Sequence, residues 1–471
     1  MNPNIVLVNC DDLGYGDLGC YGSTKNDTPY LDKLAQEGLR FTDFYMASPV
    51  CSPSRGAMMT GCYPPRIGFG TFDDAKVLLP GHAIGLNPTE KTMAALLQER
   101  GYSTLAVGKW HCGDQKDFLP TRHGFDDYFG LPYSNDMGPS EIRPNMPPLP
   151  LIQGEEVIQQ QPDQSSLTER YVHRSVEFIR RNKGNPFFLY LAHMHVHVPL
   201  YASEIFRKRS RNGDYGACVG AIDWAMGAIV HELKEQGVYD NTLIIFTSDN
   251  GSRNDFGESN GPLRGAKATT WEGGMRVPLI MHWNGTIEAG VTSELTASMD
   301  LYPTLAKLGG AEVPTDRVID GLDFSDLLLG KSTATPRDTM FYYMCNNLEA
   351  VRHGDWKLHL SRRPDAGKPS SNDTGANGNK PDINSNIEVR ELYNLKEDIG
   401  EQHNVYDAHP AIVKLLEEKA QACRLDIGDN ATGVKGSRIR PAGRVENAVP
   451  LTSFDEDHPY IIALYDRSEV G

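Results

Sequence analysis

The chain of 471 residues contains no apolar run approaching the roughly 18 residues that a membrane-spanning helix requires, which excludes a helical membrane anchor from the function classes to consider. It has no Cys-x-x-Cys pair. The eight cysteines, at 10, 20, 51, 62, 112, 218, 345 and 423, also lack zinc-finger spacing, so a metal–thiolate site is disfavoured and reduced thiols are expected. Positive charge is in short supply: 46 Lys and Arg stand against 62 Asp and Glu, a net charge of −16, which opposes nucleic-acid and membrane-surface partners. An anionic substrate therefore needs a cationic pocket built locally. Internal repeats are absent too. Between Met1 and the strand-like Ile5-Val6-Leu7-Val8 there is no room for a signal peptide, so a cytoplasmic protein is expected if Met1 is native, and a periplasmic or secreted one if an export signal was removed.

What is present is a loop-rich globular pattern. Short apolar runs at 4–8, 187–191 and 243–247 suit strands buried on both faces, and helical periodicity appears at 28–37, 92–100, 167–181 and 220–236. This alternation over about 300 residues predicts an α/β fold with a large, doubly wound, mostly parallel sheet flanked by helices. The Pro-containing stretch 333–337 separates a catalytic domain over 1–335 from a smaller α+β domain over 336–471, with strands near 340–344, 356–360 and 387–392 and a helix at 411–423. Residues 362–385 hold almost nothing apolar and read as a surface loop; 136–165 reads as a second loop region.

Two strand ends carry oxygen ligands. The first strand runs into Asp11-Asp12, and the strand at 243–247 runs into Ser248-Asp249-Asn250-Gly251. Sites in open α/β sheets form outside the carboxyl ends of strands, so these ends can meet, and three carboxylates with an amide suit Ca²⁺ or Mg²⁺. Either pair alone also reads as turn caps. Cys51-Ser52-Pro53-Ser54-Arg55-Gly56 reads as a loop entering a helix N-terminus, a position that favours anionic groups. His193, His195 and His197, at i, i+2 and i+4, fall on one face if their strand persists, which by itself suggests zinc.

Cys51-Ser52-Pro53-Ser54-Arg55 with Thr60-Gly61 is similar to the signature of the type I sulfatases, in which the Cys becomes formylglycine. Further blocks resemble the same family in the correct order: 9–17, 101–111 (Gly101 to His111), 247–251 and 263–270. Phe129-Gly130-Leu131-Pro132-Tyr133-Ser134 and His197-Val198-Pro199-Leu200-Tyr201 look closest to the arylsulfatase A and N-acetylgalactosamine-6-sulfatase branch. The resemblance is dense over 4–310 and thin beyond about 340. It implies an alkaline phosphatase-like fold and a C-terminal four-stranded antiparallel sheet with a helix.

The resemblance also implies roles. Asp11, Asp12, Asp249 and Asn250 hold the cation, Ca²⁺ or Mg²⁺, together with the modified Cys51. Arg55 stabilises the formylglycine beside Lys109 and His111, while His197 and Lys267 bind sulfate and its leaving oxygen. Ser134 lies in the same pocket, His195 is support, and His193 is structural. The implied activity is hydrolysis of a sulfate monoester, a carbohydrate sulfate first and aryl sulfates as surrogates, with His197 as general acid and His111 as base. The implied partner is a formylglycine-generating maturation enzyme. The alternatives are a phosphonate or phosphodiester hydrolase of the same superfamily and a non-catalytic sulfoglycan-binding protein.

Overall fold

The computed structural model describes residues 2–140, 143–364 and 386–454. One large sheet carries strands β1 (Asn4–Cys10), β2 (Leu39–Phe41), β3 (Ser103–Gly108), β4 (Asp127–Gly130), β5 (Pro150–Gln153), β6 (Glu156–Gln160), β7 (Phe187–Ala192), β8 (Thr242–Ser248), β9 (Leu279–His282) and β10 (Gly290–Thr292). Their spatial order is β10-β2-β9-β8-β1-β7-β3-β4-β5-β6. The five central strands, β8 to β4, are parallel, and antiparallel pairings appear towards both edges.

Double winding follows from the apolar run of β1. Ile5 and Leu7 enter one buried layer, whereas Val6 and Val8 enter the other. The first layer is covered by helices α2 (Cys51–Thr60), α3 (Met93–Gln98) and α6 (Leu301–Leu308), the second by α1 (Pro29–Glu37), α4 (Leu167–Asn182) and α5 (Gly213–Glu235). A continuous β-branched strand needs such cover on both sides, because neither face carries polar groups for water.

The smaller sheet is antiparallel: β11 (Thr339–Met344), β12 (Asn347–His353), β13 (Trp356–Arg362) and β14 (Ile387–Asn394), packed by helix α7 (Pro410–Ile427). Its core joins the large domain through Tyr45, Ala57 and Met275. Strand β12 was invisible to periodicity because Asn347, Glu349 and Arg352 are buried polar residues that break the apolar alternation. Two further readings need correction. The stretch 136–165 is not one loop, since β5 and β6 form a hairpin within it, and β13 runs on to Arg362. The surface-loop reading of 362–385 otherwise falls, beyond Pro364, outside the described residues. Among the described residues, no helix is long and apolar enough to cross a membrane.

Candidate active site

Four neighbouring parallel strands, β8, β1, β7 and β3, deliver side chains from their carboxyl ends into one place. Strand β1 ends at Asp11-Asp12, β8 at Asp249-Asn250, β3 at Lys109 and His111, and β7 leads to His197. Backbone bonds join these ends: Asp249 N–H donates to Cys10 O at 3.0 Å, Asp11 N–H to His195 O at 2.8 Å, and Lys109 N–H to Ala192 O at 2.8 Å. Gly108, at φ +98°, turns β3 towards the site; a Cβ there would lie 1.9 Å from Ala192 O, so only glycine fits.

Cys51 is the first residue of helix α2, at the positive end of its dipole. Its Sγ lies 3.5 Å from Asp11 Oδ1. Asp11 Oδ2 accepts from Lys109 Nζ at 2.5 Å, and Lys109 also donates to Ser134 Oγ at 3.2 Å. Asp12 Oδ2 accepts from Lys267 Nζ at 2.8 Å and lies 3.6 Å from His197 Nε2. Asp12 Oδ1 accepts from Asn250 Nδ2 at 2.7 Å. Arg55 pairs with Asp249 through Nε at 2.8 Å and donates to the Lys109 carbonyl at 2.7 Å. Apart from Lys267, whose side chain is 9% exposed, these groups are all buried, so each charge depends on its partners.

Burial alone would push Asp11 up, but Lys109, His197, Arg55 and Lys267 outweigh it and hold the carboxyl well below its usual range. Burial pulls Lys109 and Lys267 down, and the facing acids more than reverse this, so both remain ammonium ions. Asp249 moves the other way: burial lifts it to about 6 against the pull of Arg55. Burial and Asp11 push the Cys51 thiol far up, which leaves it a poor thiolate. Burial, then Lys109, drives His111 well below its ordinary value, so its imidazole is neutral.

The donor set fits a divalent cation. Single ligand atoms of Asp11, Asp12, Cys51 and His197 lie within 4.8 Å of one another, and Asn250 Oδ1 is a buried acceptor without a donor. His197 thus shares the acidic cluster with residues assigned to the cation. The zinc reading of the three histidines does not survive. Strand β7 ends at Ala192, so the two-residue alternation stops before His193. His193 and His195 are buried, and burial lowers them to about 3 and about 4, so both are neutral; no ligand cluster among the described residues includes either. His195 meets the site through its carbonyl. Ser54, inside the quoted motif, ties α2 to β8 by donating to Asp249 O at 2.5 Å. Leu78 had no sequence signal, because it contacts His111 through its backbone carbonyl, 3.0 Å from Nε2.

Comparison with known proteins agrees with this arrangement. The family model described as "Sulfatase" matches residues 3–311, and that described as "C-terminal region of aryl-sulfatase" matches 335–439. Arylsulfatase A of Homo sapiens is 38% identical over 449 residues, covering 88% of this chain and 86% of the relative. N-acetylgalactosamine-6-sulfatase of Sus scrofa is 42% identical over 386 residues, covering 76% and 72%. The crystal structure of PsFucS1 sulfatase from Pseudoalteromonas sp. superposes with a TM-score of 0.78 at 30% identity, covering 90% of this chain and 91% of that one. With both family models in sequence order, and with acids, cations and Cys51 assembled at the carboxyl ends of one parallel sheet, the chain belongs to the sulfatase family.

Proposed function

We propose that the protein hydrolyses sulfate monoesters of carbohydrates, using formylglycine at position 51 and a hard divalent cation. The carrying observation is Cys51 at the start of α2, 3.5 Å from Asp11, in a pocket where Lys109, Lys267 and Arg55 each hold an acid. The N-acetylgalactosamine-6-sulfatase relative supports the carbohydrate class.

A hydrated aldehyde at position 51 supplies two hydroxyls on one carbon, one to attack sulfur and one to expel sulfate afterwards. Asp11, Asp12, Asp249 and Asn250 would hold the cation with residue 51, and the cation supplies charge neutralisation for the ester oxygens. The chain's own cations do the rest of that work: Lys109 on Asp11 and Lys267 on Asp12 offset the negative charge of an incoming sulfate. Arg55 fixes Asp249 and, through the Lys109 carbonyl, the backbone that aims Lys109. His197 protonates the departing alcohol at Nε2; its Nδ1 lies 2.5 Å from the Val198 carbonyl, which orients the ring. His111 accepts a proton at Nδ1.

Turnover on matched sulfate and phosphate monoesters, followed by a panel of defined sulfated saccharides, tests this. Preference for sulfate and hydrolysis of at least one saccharide are expected; preference for the phosphate ester, or full activity with an intact Cys51 thiol by mass spectrometry, overturns it.

A further inference from the structure

The side chain of Leu78 carries no chemistry, yet its backbone touches two residues at the site. Its N–H donates to Ser52 Oγ at 3.0 Å, and its carbonyl lies 3.0 Å from His111 Nε2. Ser52 follows Cys51 directly, so a continuous path runs from the nucleophile position through one hydroxyl and the Leu78 backbone, from its N–H across Cα to its carbonyl, to the His111 ring.

A carbonyl oxygen only accepts. In a neutral imidazole the proton must then sit on Nε2, and Nδ1 keeps its lone pair. His111 is 1% exposed, and Nδ1 is buried without a hydrogen-bond partner. The backbone of His111 is also held in the left-handed region, at φ +59°, which strains any residue other than glycine. Its N–H donates to Pro132 O at 3.0 Å, which fixes that conformation. The ring is thus constrained at its backbone and at Nε2, and Nδ1 alone is left open.

The Leu78 segment has little regular structure of its own to hold its backbone in place. It lies between the isolated bridge Phe72–Ala75 and Gly81, whose N–H is held by Asp114 at 2.5 Å. The Ser52 hydroxyl supplies the acceptor that the buried Leu78 N–H needs, and losing it leaves that donor unsatisfied.

We propose that the Leu78 backbone, anchored at its N–H by Ser52, is a positioning device that locks His111 in the Nε2–H tautomer and leaves Nδ1 as proton acceptor. The use of that lone pair, taking a proton from a hydroxyl at residue 51, rests on the sulfatase reading; the lock itself does not. Ser52 and Leu78 are positioning residues acting through His111.

The tautomer is read directly by NMR of the full-length protein labelled with ¹⁵N-histidine and prepared with Cys51 as an unmodified thiol. His111→Gln assigns the signals. The expected result is an Nδ1 shift typical of bare imidazole nitrogen and an Nε2 shift typical of a protonated one. In Ser52→Ala the two shifts should move towards each other, and Ser52→Thr, which keeps the hydroxyl, should restore them. In aldehyde-bearing protein matched for conversion by mass spectrometry, Ser52→Ala should lower kcat roughly 10- to 100-fold with KM changed by less than about twofold, and Ser52→Thr should recover it. A bare Nε2 in the wild type overturns the proposal, as do shifts unchanged by Ser52→Ala. The expected wild-type and variant shifts, found together with no sulfate-ester hydrolysis by the aldehyde-bearing protein, would support the lock while overturning the proposed function.

Discussion

Cys51 shows why one residue's chemistry depends on its neighbours. Burial and Asp11 keep its thiol protonated, so the unmodified side chain is a weak nucleophile in its own site. Conversion to a hydrated aldehyde would remove that handicap and provide the second hydroxyl. Cys51→Ser, shown by mass spectrometry to stay unmodified, is expected to give at most one slow turnover, with sulfate retained on the serine-bearing peptide and no steady-state release. Sustained turnover by that variant would show that sulfate leaves by another route. His197 presents a different case, because it touches the acidic cluster yet is assigned to the leaving group. His197→Ala should slow esters of sugar alcohols by about 10²- to 10⁴-fold and aryl esters, whose phenolates leave unaided, much less. Equal losses on the two substrates would assign the ring to binding instead.

Among the elements, the four central strand ends are what turn separate motifs into a site, and helix starts matter as much. The Thr28 side chain makes no cap bond to α1; instead Asp223, from α5, accepts the N–H of Leu31 at 2.8 Å and of Tyr30 at 3.3 Å. Burial raises Asp223 to about 7, opposed by those two N–H bonds. The folded carboxyl therefore holds its proton more tightly than the unfolded one, near 4. Its contribution is fully present below about pH 4 and is lost as pH rises through about 7. Asp223→Asn keeps an acceptor and removes the titration. Relative to wild type, its stability in urea should rise between pH about 5 and about 8 by on the order of 2 kcal/mol. A pH-independent difference would show that Asp223 does not carry this linkage.

Element type was legible wherever apolar period and terminal signals agreed. Strands β1, β7 and β8, and helix α4, lie where their patterns put them, with boundaries shifted by one or two residues. Helix α5 begins at Gly213, well before its periodic stretch, because its first turns are rich in small residues. Strands β2, β4, β9 and β10 have four residues or fewer, too short to display a period of two, and exist because neighbouring strands pair with them.

Over the whole molecule, a buried ionic joint links the two sheets. Lys357 on β13 donates to Glu272 Oε1 at 2.9 Å and to Thr270 O at 2.8 Å, and lies 3.0 Å from Glu401 Oε1. Arg352 on β12 reaches Asp43, which also holds Arg276, and Arg276 pairs with Glu272. Thr270 and Glu272 follow Lys267 by three and five residues, so the small sheet steadies the loop that carries a site cation. Removing one partner from such a network leaves buried charge uncompensated. Lys357→Met should cost about 3–5 kcal/mol, measured by urea unfolding, and adding Glu401→Gln should recover part of that loss. Strict additivity of the two substitutions would show that they do not share one network.

The fold class and the order of the motifs could be read from the chain alone, because β-branched runs, helix periodicity and the Cys51 to Arg55 block are local patterns that survive without neighbours. Tertiary structure alone decided which charges meet. Lys109 faces Asp11, Lys267 faces Asp12 and Arg55 faces Asp249, pairings set by strand order rather than by distance along the chain. It also decided that His197 joins the acids while His193 and His195 do not, since β7 ends at Ala192 and the alternation that would align the three rings ends there. The contact of Leu78 with His111 belongs to the same class. A peptide group has no residue-specific signature in sequence, and its hydrogen bonds are chosen only when the chain folds around them.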